Sequence, residues 1–186
     1  MLEAAALILG DAGIDQRKNT GEKLMHALLP IQVINNRRVP PGQAAKWAGR
    51  RPQDRRLKVG LVWKGSALHH NDAQRSLPDF SILAPLWSVP DVQFISLQKE
   101  RDEEQALRPP PEQPLLALGH ELEDFADSAA ILAQLDLLIS VDTAVAHLAG
   151  ALAKPCWVML PQCRCDWRWL QGRDASAGIS IRTAAN

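Results

Sequence analysis

Residues 138–160 read LISVDTAVAHLAGALAKPCWVML, and this stretch decides the fold class. An apolar run, LISV, leads directly into Asp142-Thr143. Small and apolar residues then recur at helical spacing from Ala144 to Leu152, and Lys154-Pro155 stops the helix. A second apolar run, CWVML, follows and is closed by Pro161. Strand, turn, helix, stop and strand in so short a span make a βαβ unit, whose two strands are parallel and whose crossover is right-handed.

The same alternation extends upstream. VQFISLQK (92–99) and KVGLVWKG (58–65) are compact apolar runs of the kind buried on both faces of a parallel sheet. Residues 124–135 predict an amphipathic helix, with Asp124 or Asp127 able to cap its first turn. Residues 78–88 predict another, short or kinked because of Pro85. Residues 100–118, acidic and then Pro-rich, read as a surface loop. The expected fold class is α/β: a three-layer, Rossmann-like parallel sheet of about four strands with helices on its faces.

Outside 57–170 the pattern weakens. Leu2, Ala5, Ala6 and Leu9 sit at helical spacing before Gly10 and Gly13, and 22–29 reads as a second helix stopped by Pro30. Residues 30–56 are rich in Pro, Gly and Arg and read as a linker with a short helix at 43–48. Residues 171–186 are small and polar, an irregular tail in which only Ile179 and Ile181 alternate. The expected organisation is thus a helical appendage and linker (1–56), one α/β domain (57–170) and a tail.

Composition excludes several function classes. Lys+Arg and Asp+Glu both number 21, so the chain has no overall electrostatic footprint for nucleic acid or an anionic membrane. One local basic cluster stands out: Arg50, Arg51, Arg55, Arg56 and Lys58. No stretch reaches the length of a membrane span, and no basic segment precedes the first apolar run, so a cytoplasmic chain is expected. The three cysteines, Cys156, Cys163 and Cys165, are too few and too odd for a disulfide framework. Cys163-Arg-Cys165 lacks the two-residue spacer and the partner pair of a zinc site, so no metal is expected.

Ligands of open parallel sheets bind beyond the carboxyl ends of the strands. Those ends here are the loops 64–76, 98–101, 142–143 and 161–167. The turn at Asp142-Thr143 is the most telling. The first-turn N–H groups of the following helix have no intrahelical acceptor, and the positive end of the helix dipole stands behind them. That suits a diphosphate. Ala144 and Ala146 leave room for it, His147 lies one turn on from Thr143 on the same face, and Asp142 can accept from sugar hydroxyls. The same residues also suit a plain helix cap, worth about 1 kcal/mol, with a surface histidine behind it. Trp167 and Trp169 can stack on a sugar or base, but packing is the more frequent use of such residues.

In order along the chain, VGLVWKG, RSLP, SLQK, DFADSAAILAQLDLLISVDTAVAHLAGALAKPCWVMLP and DWRWL resemble glycosyltransferase family 9, the ADP-heptose:lipopolysaccharide heptosyltransferases. They are still more similar to the family-9-like domain at the C-terminus of many bacterial tetratricopeptide-repeat proteins. The resemblance covers about 57–170. It implies the C-terminal-type, donor-binding lobe of a two-lobed GT-B fold. It also implies that Asp142, Thr143, Ala144 and His147 hold the diphosphate and sugar of a nucleotide sugar. Gln98 and Lys99 fall near the nucleotide base and ribose. Lys64, Asn71 and Arg75 fall in the loop that offers a basic side chain to the phosphates, with no choice made among them. The family has Gly where Ala144 stands, so the turn is expected to differ slightly.

Enzymes of this kind need neither metal nor cofactor beyond the donor, and they bind the acceptor on a second lobe that also supplies the base. Residues 1–56 show no strand–helix alternation and cannot build that lobe; the sequence identifies no catalytic base, and Asp72 is available but without support for that role. The expected function is a glycosyltransferase-like donor domain that needs an acceptor-lobe partner or a second copy of itself. The alternatives are a nucleotide-binding module without catalysis and a dimeric remnant domain without activity.

Overall fold

The computed structural model describes residues 39, 41–50, 52, 54–109 and 115–160, and the strand backbones of 27–32 and 180–181. The strands are β1 (Ala27–Gln32), β2 (Leu57–Val62), β3 (Val92–Ser96), β4 (Leu115–Ala117), β5 (Leu137–Val141), β6 (Cys156–Leu160) and β7 (Ser180–Ile181). The α-helices are α1 (Pro41–Ala48), α2 (Asp72–Arg75), α3 (Glu103–Ala106), α4 (Phe125–Leu132) and α5 (Ala144–Ala151), and Phe80–Ser88 forms a 3-10 helix.

One sheet runs through the molecule in the order β4-β3-β2-β5-β6-β1-β7. Its first five strands are parallel, and β1 and β7 add antiparallel at the far edge. The fold is α/β and Rossmann-like, as expected from the sequence. The four runs read as strands all lie in the parallel part. From β2 the chain winds outward through β3 to β4, then returns to the other side of β2 as β5. The winding direction therefore reverses between β2 and β5, and the loops that leave their carboxyl ends diverge to open a crevice.

The sequence dictates this core by strand periodicity. Leu137, Ile139 and Val141 face one side of the sheet, where they join Leu61, Trp63, Phe94, Leu83 and Leu86. Leu138 faces the other with Val62, Ile95 and Val158, and is covered by Ala130, Ile131 and Leu132 of α4 and Ala146 and Ala149 of α5. The 3-10 helix covers the first face, where Trp63, Phe80, Trp87 and Phe94 form a run of ring contacts with centroids 4.6–5.6 Å apart. Asp79 starts this helix by accepting from Ser81 N at 2.7 Å, and Pro85 within it fits the short or kinked helix expected there. At α4 it is Asp124 that caps, accepting from the N–H groups of Ala126 and Asp127.

Asp127 does something else. Its fully buried carboxylate accepts from the Trp47 indole at 2.6 Å, from Lys46 at 3.1 Å and from Glu123 N at 3.0 Å. Burial pushes its pKa up, but these donors outweigh burial and hold it below the ordinary carboxylate value. The contacts fasten α1 to α4 and seat Trp47, 1% exposed, in the core beside Ile131 and Leu135. The short helix expected at 43–48 is therefore present but is packed on the domain, not held in a linker.

Three further expectations are corrected. The helix read over 22–29 meets a strand from Ala27, paired with β6 so that Leu29 lies opposite Val158. The loop read over 100–118 contains α3 and a fifth parallel strand, β4, whose Leu115 lies opposite Phe94. Ser180–Ile181, read as tail, pairs with Ile31 and Gln32. β4 and β7 are too short for periodicity to register and lie at the sheet edges, and β1 owes its place to antiparallel pairing with β6, a partner distant in the chain. The basic cluster is largely internally matched: Arg50 pairs with Glu121, and Arg56 and the fully buried Lys58 pair with Asp54. The helix read over 2–9 and the residues Cys163, Cys165, Trp167 and Trp169 lie outside the described residues. Among the described residues, no helix is long and apolar enough to cross a membrane.

Candidate functional site

β5 delivers Asp142 and Thr143 to the carboxyl edge of the sheet, and α5 starts at Ala144. Thr143 has the extended backbone of an N-cap, φ −136° and ψ 167°, but makes no side-chain cap bond. Its hydroxyl lies 3.1 Å from that of Ser140, which itself donates to the Val141 carbonyl at 2.7 Å. The turn is thus braced from inside the strand, and the Thr143 side chain does not fill the helix terminus. Ala144 is exposed there.

Two cationic or protonatable groups reach this turn. His147 Nε2 is 3.4 Å from one oxygen of Asp142, and Arg75 Nη1 is 3.9 Å from the other. His147 comes from the same helix one turn on, but Arg75 comes from α2 in the loop after β2. The two loops meet across the β2–β5 crevice. Among the described residues, the buried Arg75 Nε has no hydrogen-bond partner. A guanidinium lying beside a helix N-terminus suits a multiply charged oxyanion.

The loop carrying Arg75 is built tightly. Asp72 accepts from Ser76 Oγ at 2.6 Å, Ser76 Oγ accepts from Gly65 N at 2.8 Å, and Leu77 N donates to Trp63 O at 2.9 Å. Gly65 leaves these side chains room: a Cβ there would lie 3.0 Å from both Arg75 Nη2 and Asp72 Oδ1, and both would have to give by a few tenths of an ångström.

Other residues singled out in the sequence are turned elsewhere. Lys64 is buried; its amine pairs with Asp102 at 3.1 Å and donates to the Pro78 carbonyl at 3.2 Å. Gln98 is also buried. Its Oε1 accepts from Trp63 N and Lys64 N at 3.0 and 2.9 Å, and its Nε2 donates to Arg101 O at 2.9 Å. It is a strut between the ends of β2 and β3. Lys99 is exposed and donates to the Leu122 carbonyl. Asn71 is buried, with its N–H donating to His69 Nδ1 at 3.2 Å. Asp72, a carboxylate without support as a base in the sequence, is taken up by Ser76 and by an ion pair with Arg101. Arg101, Asp102, Ser76 and Ser140 were not singled out in the sequence. They sit in polar loops or inside a strand, where no spacing distinguishes them.

No family model matches the chain. It is 32% identical over 111 residues to protein FlbA of Caulobacter vibrioides, covering 55% of this chain and 18% of FlbA. Its fold is similar to the structure of E. coli ADP-heptose lps heptosyltransferase II, with a TM-score of 0.50 and 17% identity over 64% of this chain and 37% of that one. The chain thus spans less than a fifth of FlbA and well under half of the heptosyltransferase. The second likeness shows a shared α/β fold.

Proposed function

We propose that residues 57–170 form a glycosyltransferase-like donor domain that holds the diphosphate of a nucleotide sugar, without a metal, at the N-terminus of α5. The observation that carries this reading is the meeting of Arg75, Asp142 and His147 at the Asp142–Thr143 turn. Arg75 and His147 supply charge-assisted hydrogen bonds, the helix terminus supplies N–H groups and positive potential, and Asp142 accepts from sugar or ribose hydroxyls. Such an arrangement stabilises a departing nucleoside diphosphate as charge builds on it. Lys99, exposed beyond the end of β3, would have to release the Leu122 carbonyl to reach a base or ribose; the buried Gln98 shapes the loop beneath.

Transfer also needs an acceptor and a base aligned with the donor. We assign these to a second lobe, whether from another polypeptide or from a second copy of this chain. A second reading, binding without transfer, applies wherever that second lobe is missing: the Asp72 carboxylate is already engaged by Ser76 and Arg101 and does not stand in as a base. Calorimetric titration with ADP-, UDP- and GDP-sugars tests the binding reading, which absence of any saturable heat would defeat. Donor turnover by the same protein, with water or a sugar acceptor, separates the two readings.

A further inference from the structure

The helix that carries Arg75, α2, has four residues and a single turn. One turn has no cooperative stability of its own, so its neighbours must hold it in place. Ser76 and Leu77 tie its end back to Gly65 and Trp63, within its own loop. Its other anchor comes from a different strand connection. Arg101, in the loop after β3, pairs through Nη1 with Asp72, the first residue of α2. Asp72 and Arg75 meet over the bare backbone of Gly65, each 3.0 Å from where a Cβ would stand. A shift of the Asp72 carboxylate therefore changes the surface on which the Arg75 guanidinium rests. That guanidinium is held toward Asp142 at 3.9 Å, and its Nε–H has no hydrogen-bond partner among the described residues, so its direction depends on the surface it rests on.

We infer that Arg101 is a positioning residue: by pairing with Asp72 it holds α2 so that Arg75 is presented to the Asp142–Thr143 turn. Coupled to the diphosphate-binding reading above, on which this second step rests, Arg101 sets anion affinity without touching the anion. The loop after β3 then governs a site formed by the loops after β2 and β5. Lys64–Asp102, at the base of the same two loops, holds them in register.

The experiment uses the whole chain and two readouts. The first is the hydrogen-exchange protection of the Arg75 Nε–H by NMR, without ligand. The second is calorimetric affinity for ADP, UDP and GDP. The side chain of Arg101 is 39% exposed, so Arg101→Ala leaves no core cavity. It is expected to deprotect the Arg75 Nε–H and to weaken nucleotide binding by about fivefold, the scale of one partly exposed ion pair. Arg101→Lys should restore part of both. In an Arg75→Ala background, Arg101→Ala should cost nothing more, because its effect runs through Arg75. An equal loss of affinity in both backgrounds, or unchanged Nε–H protection, would overturn the inference. If the native chain binds no nucleotide while Nε–H protection still follows Arg101, the functional proposal fails and the positioning role stands.

Discussion

Arg75 and Asp142 face one another at 3.9 Å across the place where the sheet reverses its winding, one from the loop after β2 and the other from the end of β5. Adjacent strands that run outward in opposite directions leave their carboxyl-end loops apart, and this pair spans the opening.

Replacing either basic partner should weaken anion binding there. His147→Ala and Arg75→Ala should each cost about 1–3 kcal/mol in nucleoside diphosphate affinity, the range for a hydrogen bond to a charged group. Calorimetric affinities that match the native chain would remove the substituted residue from the site.

The Asp127 carboxylate should matter for stability rather than binding. Asp127→Ala strands the buried Trp47 indole N–H, a loss of about 1–3 kcal/mol measured by urea unfolding. Asp127→Asn carries a pH signature. The native carboxylate is held below its ordinary value, so its contribution is present above the unfolded pKa and is lost as pH falls through the depressed folded pKa. The stability gap between native and Asp127→Asn protein should therefore be full near neutrality and close in acid. A gap constant down to acid unfolding would contradict this.

Gly119 should tolerate no side chain. A Cβ there would lie 1.6 Å from the Gln98 carbonyl oxygen, so the backbone after β4 must move to admit it. Gly119→Ala is expected to destabilise by at least about 3 kcal/mol, beyond the usual cost of one extra methyl. A variant with native-like thermal unfolding would show that the close approach of these two segments is dispensable.

Cys156 should be inert in the folded chain. It is fully buried at the start of β6, and burial pushes its thiol up and so disfavours the thiolate. With Cys163 and Cys165 replaced by Ser, a maleimide should label the protein only under unfolding conditions. Rapid labelling of the folded variant would mean that the sheet opens around β6.

The segments 57–65, 92–99 and 137–160 announced the α/β fold because strands buried on both faces are written as unbroken apolar runs, a local signal. The turn at Asp142-Thr143 was legible for the same reason: a helix start next to a strand end is read from neighbours in sequence. Which basic side chain meets that turn was not. Lys64, Asn71 and Arg75 share one polar loop, and only the packed fold sends Lys64 to Asp102 and Arg75 to Asp142. Gln98 reads as a ligand contact at a strand end, yet the backbone N–H groups of Trp63 and Lys64, just past β2, claim its amide oxygen. Strand order is likewise absent from local pattern. β1 joins β6, and β4 joins β3, through hydrogen bonds between segments distant in the chain. Side-chain direction in a loop and pairing at a sheet edge depend on partners brought together only by folding, and no periodicity within a segment encodes them.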